Sequence, residues 1–112
     1  MTLAKIKRPW GGYTLLKKTK HYWAKKLFMH PKARLSLQSH QYREEIWFIL
    51  SGSIIAQIGS KKRRANPGDL LVIPKKIKHR ITGITEAVIL EVAFGKVLET
   101  DIVRYEDDYG RA

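Results

Sequence analysis

Proline and glycine break this chain into short runs that alternate between apolar and polar residues, and no convincing helical period links them. Ile54, Ala56 and Ile58 fall on one side of an extended segment, Ile55 and Gln57 on the other. Over residues 21–30, Tyr22, Ala24, Lys26 and Phe28 oppose Trp23, Lys25, Leu27 and Met29. Residues 70–73 read as a short buried strand that Pro74 ends, preceded by the turn Asn66-Pro67-Gly68-Asp69. Residues 87–94 are apolar on both faces except at Glu91. Further strands are expected over 13–17, 35–40, 45–50 and 79–82. Residues 8–12, Arg-Pro-Trp-Gly-Gly, read as a loop that interrupts regular structure, and 61–64 as a solvated basic loop. Such a pattern argues for an all-β sandwich or barrel. With 112 residues the chain is expected to form one domain over 1–112, for which a jelly-roll barrel fits best.

The chemistry gathers in one stretch, LSLQSHQYREEIWFILSG, over residues 35–52. Gln38 and His40 project from the same face of a strand, about 7 Å apart. Glu45 follows His40 by an odd number of positions, so an unbroken strand would put it on the opposite face. A turn over 41–44 removes that conflict and can return Glu45 to the other two. Gln, His and Glu meeting at a strand–turn–strand corner could form most of a metal site. His79, one short loop after a buried strand, can complete it. Two imidazole nitrogens and two oxygens suit Zn, and also Mn, Fe, Co or Ni.

Composition narrows the alternatives. The chain has no cysteine, which excludes disulfides and thiolate metal sites and fits a cytoplasmic protein. No run is long enough to span a membrane, and charges interrupt the N-terminal segment where a signal peptide needs apolar residues. The net charge of +12 is dispersed, without a helix-turn-helix, zinc-finger spacing or RNP-type aromatic motif. It reads as a solvated basic surface, with nucleic acid an unlikely partner and a small anionic substrate a natural one.

The spacing resembles the two cupin motifs, G-x5-HxH-x4-E-x6-G and G-x5-P-x-G-x2-H-x3-N. Gln38, His40, Glu45 and Gly52 match the first, with Gln for the first His and Lys32 for the leading Gly; Gly68, Pro74 and His79 match the second, with Lys76 for Gly and Gly83 for Asn. The variant L-S-L-Q-x-H-x-x-R-x-E-x-W resembles the cupin domain of type II mannose-6-phosphate isomerases, which follows a guanylyltransferase domain in longer enzymes. The likeness extends from Arg8-Pro9-Trp10-Gly11 to Asp101–Arg104 and the Glu106–Arg111 tail. Related domains usually carry His where Tyr42 and Ile46 stand and Gln where Ala93 stands. No guanylyltransferase activity is expected of these 112 residues.

The resemblance implies a double-stranded β-helix barrel holding one divalent metal through Gln38, His40, Glu45 and His79, and interconversion of mannose 6-phosphate and fructose 6-phosphate through an enediol(ate). It implies Glu91 as general base, the lone acid of its strand, with a partnership to Arg43 or Arg80 as the structural alternative. Arg104 would orient substrate or stabilise the enediolate. Phosphate needs a cationic grip, for which Lys75, Arg80 and Arg111 are candidates. The alternative function is a non-catalytic cupin module that binds a metal and a sugar or nucleotide-sugar. A homodimer is expected, because exposed sheet edges need covering.

Overall fold

The computed structural model describes residues 3–112; of the expected domain over 1–112, residues 1 and 2 lie outside that span. The described residues form strands and no helix: β1 (Lys5–Arg8), β2 (Gly11–Lys18), β3 (Tyr22–Met29), β4 (Leu37–Ser39), β5 (Arg43–Ser51), β6 (Ile54–Ile58), β7 (Lys61–Ala65), β8 (Leu70–Ile73), β9 (His79–Gly83), β10 (Ala87–Gly95) and β11 (Val103–Glu106). Two antiparallel sheets result, one ordered β1-β2-β3-β10-β5-β8 and the other β11-β4-β9-β6-β7. The all-β expectation holds. Among the described residues no helix is long and apolar enough to cross a membrane.

Alternation decides which side chains enter the space between the sheets. β3 buries Trp23, Lys25, Leu27 and Met29, and β5 buries Arg43, Glu45, Trp47 and Ile49. Most of the apolar members meet Ile54, Ala56 and Ile81 of the facing sheet in one core that also holds Trp10. Each such aliphatic side chain contributes about 1.5–3 kcal/mol on burial. Trp23 packs apart, with Ala93 and Val97. Two charged residues, Arg43 and Glu45, thus lie on the inner face of a core strand.

The structure corrects three expectations. Gly11 and Gly12 do not break the chain; they open β2, buried against β3, where a side chain on Gly11 would run into the carbonyl of Phe28. Residues 61–65 are not a loop but the edge strand β7, with Lys61, Lys62, Arg63 and Arg64 exposed. Basic side chains on an edge discourage pairing with another chain, so the charge run suits a strand there. The turn before β5 ends earlier than the expected 44, because Asp101 gathers it: its carboxylate accepts the Gln41 and Tyr42 N–H groups at 2.8 and 2.9 Å. β5 therefore starts at Arg43.

Lys32 and Lys76, which stand at motif glycine positions, adopt φ of 65° and 67°. A side chain in this left-handed region costs roughly 1–2 kcal/mol. Replacing Lys76 by Gly is expected to stabilise the protein by about 0.5–1 kcal/mol, after the extra unfolded-state freedom of glycine is subtracted. A urea titration reads this directly; a midpoint that stays put or falls would show that the turn carries no such strain.

Candidate metal centre and adjoining cavity

Three chain segments converge between the sheets. β4 ends just before His40, the short turn delivers Glu45 on β5 of the other sheet, and β9 begins with His79. Ligand atoms of His40, Glu45 and His79 lie within 4.8 Å of one another, and all three residues are buried. His40 Nε2 is 3.1 Å and His79 Nε2 3.8 Å from the Glu45 carboxylate.

Backbone carbonyls fix both imidazoles. His40 Nδ1 lies 2.7 Å from the Asp101 carbonyl and His79 Nδ1 2.9 Å from that of Ile77. A carbonyl only accepts, so each Nδ1 carries a proton; each Nε2 then turns toward Glu45, donating to the carboxylate when the ring is charged and offering a metal its lone pair when the ring is neutral. Such outer hydrogen bonds orient histidine ligands in metal sites. Burial pulls the His79 pKa down, against the attraction of Glu45. Burial alone would raise the Glu45 pKa, but the His40 hydrogen bond and the charges of His79, His40 and Arg43 hold it well below the ordinary carboxylate range. Glu45 is an anion.

Two nitrogen lone pairs and a carboxylate fit a divalent cation of the Zn, Mn, Fe or Co type. His79 Nε2 is buried without any hydrogen-bond partner, which is what a metal ligand looks like without its ion. Gln38 lies beside this cluster: its backbone pairs with His79 on one side and Arg104 on the other.

Arg43 is the residue that sequence reasoning missed as part of this centre. Its Nε donates to Glu45 Oε2 at 3.0 Å, and a terminal nitrogen lies 3.1 Å from His40 Nε2. One lone pair on His40 cannot serve both this guanidinium and a metal, so Arg43 must release it when the cluster takes an ion. The signal was present in the sequence: Arg43, Glu45 and Trp47 share one strand face once β5 starts at 43. Trp47 adds an indole N–H to Glu45 Oε1 at 3.1 Å.

Next to the cluster is a cavity of about 220 Å³. Gln38 and Arg43 form part of its wall, and Arg8, Lys25, Arg104 and Arg111 add four more cations. Glu91 and Glu99 are its carboxylates. Glu91 makes no salt bridge with Arg43 or Arg80; its carboxylate instead accepts the Trp23 indole N–H at 3.3 Å. Burial, then the negative charge of Glu45, push its pKa up to about 8, against Lys25 and Arg43. Glu99 pairs with Lys25 at 3.3 Å, and Arg111 with Asp107 at 3.0 Å. The Nε of Arg104 is buried with no partner. Burial, then the nearby charge of Arg111, lower its pKa, so this spot favours an incoming anion.

Two expected phosphate contacts lie elsewhere. Lys75 is exposed in the turn after β8, off the cavity wall. Arg80 follows His79 on β9 and so faces the other side of the sheet, where it holds the Leu35 carbonyl at 2.9 Å and Glu106 at 3.1 Å. Arg111 does line the cavity. Of the positions where related domains usually differ, Tyr42 is exposed and Ile46 points outward; Ala93 is buried and pairs in register with Glu45.

The sequence matches the family described as mannose-6-phosphate isomerase C-terminal over residues 1–107. The xanthan biosynthesis protein XanB of Xanthomonas campestris is 36% identical over 110 residues, which cover 96% of this chain and 24% of that protein. The mannose-1-phosphate guanylyltransferase ManC of Salmonella typhimurium is 31% identical over 109 residues, covering 95% of this chain and 23% of ManC. The chain thus spans about a quarter of the length of these curated relatives. Among solved structures, an RmlC-like cupin from Shewanella frigidimarina superposes with a TM-score of 0.80 at 14% identity, over 87% of this chain and 86% of that one, which shows the shared fold. With that barrel and a match running almost end to end, the chain belongs to the mannose-6-phosphate isomerase C-terminal family of cupin domains.

Proposed function

We propose that this domain is a metal-dependent aldose–ketose isomerase acting on a sugar phosphate, mannose 6-phosphate to fructose 6-phosphate. His40, Glu45 and His79, with Gln38 beside them, would hold one divalent ion, zinc by preference for two imidazoles and a carboxylate. Such an ion, when bound, supplies Lewis acidity toward a carbonyl oxygen.

The remaining work falls to this chain's own side chains. Isomerisation moves a proton between C1 and C2, and Glu91 is the carboxyl on the cavity wall able to carry it. A carboxyl with a raised pKa both takes and returns a proton near neutral pH. Arg104 faces the cavity without an anion of its own and would take the enediolate or the phosphate, in bidentate fashion. Arg8 and Arg111 add positive charge on the same wall. One observation carries the reading: Glu91 and the unpartnered Arg104 line a single cavity beside the three-ligand cluster.

Ala93, opposite Glu45 where related domains usually carry Gln, favours the second reading, a metal-holding module that binds a sugar or nucleotide-sugar without turnover. A coupled assay for fructose 6-phosphate formed from mannose 6-phosphate, with added Zn, Mn or Co, separates the two. Turnover is the expected result. A fully metallated protein that binds the sugar phosphate without converting it would establish the second.

A further inference from the structure

The cavity beside the metal cluster holds a lysine whose counterion can leave. Alternation along β3 turns Lys25 inward with Trp23 and Leu27, and its side chain is 11% exposed. A lysine is almost never this buried without an anion. Two aromatic rings fix its ammonium group: Nζ lies 4.2 Å from the centre of the Trp23 ring and 4.8 Å from that of Tyr13, positions where a ring attracts a cation. Among the described residues its one hydrogen-bond partner is Glu99, at 3.3 Å. Glu99 differs in kind. It stands in the turn between β10 and β11, and its side chain is 60% exposed. The turn itself is pinned: Val97 is buried, and the Leu98 carbonyl accepts Arg43 at 3.3 Å and the Asp101 N–H at 3.1 Å. Only the long Glu99 side chain reaches across to Lys25.

Such a pair is asymmetric. The ammonium is held in the cavity, whereas the carboxylate can swing into water. An ion pair with one solvated partner contributes little to stability, so the carboxylate is readily exchanged, and what replaces it has to be an anion. A phosphate monoester suits the place better than a carboxylate. It carries roughly 1.5–2 negative charges near neutral pH and three acceptor oxygens, against the three donors of an ammonium. Arg8, 5.5 Å from the same Tyr13 ring, supplies a second cation, and both cations line the cavity with Glu99. Arg43 and Arg111 on that wall are already engaged with Glu45 and Asp107. Glu91 adjoins Lys25 in register across β10 and β3, so a ligand gripped by Lys25 lies beside the carboxyl assigned to proton transfer. An uncharged sugar offers Lys25 nothing in exchange for the carboxylate and leaves the pair closed.

We infer that Lys25 is the phosphate-binding residue of this cavity, and that Glu99 is an internal anion holding its place until a phosphate group displaces it. The identity of the ligand rests on the sugar-phosphate reading above. The pair adds a selection step to that reading, because only a substrate that brings its own phosphate opens it. Arg104 is then left for the enediolate.

Calorimetric titration of the full chain with inorganic phosphate, mannose 6-phosphate and mannose tests it, with the metal content the same in every variant. Glu99→Gln keeps the shape of an exposed side chain and removes the competing charge. It is expected to bind phosphate and mannose 6-phosphate about three- to tenfold more tightly than wild type, with mannose unaffected. A pair that only braces the turn gives the opposite sign, a slightly less stable protein with no gain in affinity. Lys25→Met, which leaves an apolar stem between the two rings, is expected to lose phosphate affinity by roughly ten- to a hundredfold, and Lys25→Arg to recover part of it. In the Lys25→Met background Glu99→Gln is expected to bring no gain, because both changes act on one contact. Should Lys25→Met fold poorly, Glu99→Gln decides alone. Phosphate affinity in Glu99→Gln equal to or weaker than wild type overturns the proposal. So does a gain shared by mannose, or one that survives Lys25→Met and so belongs to another cation. No arm reads turnover. A chain that shows these shifts without isomerising mannose 6-phosphate loses the catalytic reading and keeps this site; an active isomerase indifferent to Glu99→Gln keeps the reading and loses the site.

Discussion

Replacing Glu45 by alanine is expected to cost about 3–5 kcal/mol of stability in the metal-free protein and to abolish tight metal binding. The carboxylate is 2% exposed and takes three roles at once. It accepts Arg43 Nε at 3.0 Å, accepts the Trp47 indole at 3.1 Å and faces both imidazoles. Removing it strands a buried guanidinium without an anion, the case in which breaking an ion pair is most expensive, and leaves the indole N–H unsatisfied. Glu45→Gln separates these effects. The amide keeps the shape and can still accept from Trp47, so it should lose less stability, yet it offers the metal no charge. Chemical denaturation in chelator gives the stabilities, and calorimetric titration with zinc gives the affinities. Alanine at 45 with wild-type stability would mean that Arg43 and Glu45 are not paired in solution.

The sign of the pH dependence follows. The Glu45 pKa is lowered from 4.5 on folding, so its contribution is complete above that value and drains away as pH falls through the much lower folded value. Wild type should therefore lose stability in the acid range by an increment missing from Glu45→Ala. A difference between the two that is the same at pH 3 and pH 7 would contradict the assignment.

How much of this was legible in the sequence depends on the range of the interaction. His40, Glu45 and His79 were readable because period-two alternation and a short turn are local, and the motif spacing supplied the rest. The fold class followed from the same alternation. The start of β5 was not readable, because the carboxylate that gathers its turn, Asp101, comes 60 residues after Gln41. That single shift hid Arg43 on the inner face. Lys75 and Arg80 failed for a different reason. Arg80 neighbours His79 on one strand, so alternation already sends the two side chains to opposite faces. Glu91 and Arg104 could be named from pattern and resemblance, but their shared cavity depends on β10 and β11 lying in different sheets.

Glu91→Gln is expected to lower kcat by a factor of about 10²–10⁴, the span of a general acid–base residue, while making the protein more stable at alkaline pH. The two effects have one origin. Folding raises the Glu91 pKa from 4.5 to about 8, first through burial and then through Glu45. A raised carboxyl pKa means that the folded state holds the proton more tightly, so stability is complete below 4.5 and is lost as pH rises toward 8. The amide cannot ionise and escapes this penalty. The stability gap between Glu91→Gln and wild type should open between pH 5 and 8 by something on the order of 2 kcal/mol, less than the full shift because water reaches the cavity. Steady-state kinetics and urea titrations at pH 5, 7 and 8.5 measure both. A kcat loss without the pH-dependent gain in stability would make Glu91 a residue of ordinary acidity and move the proton-carrying role to another group. The gain without the kcat loss would leave a strained carboxyl with no part in the reaction. Only the two together identify a side chain kept at an energetic cost for the proton it handles.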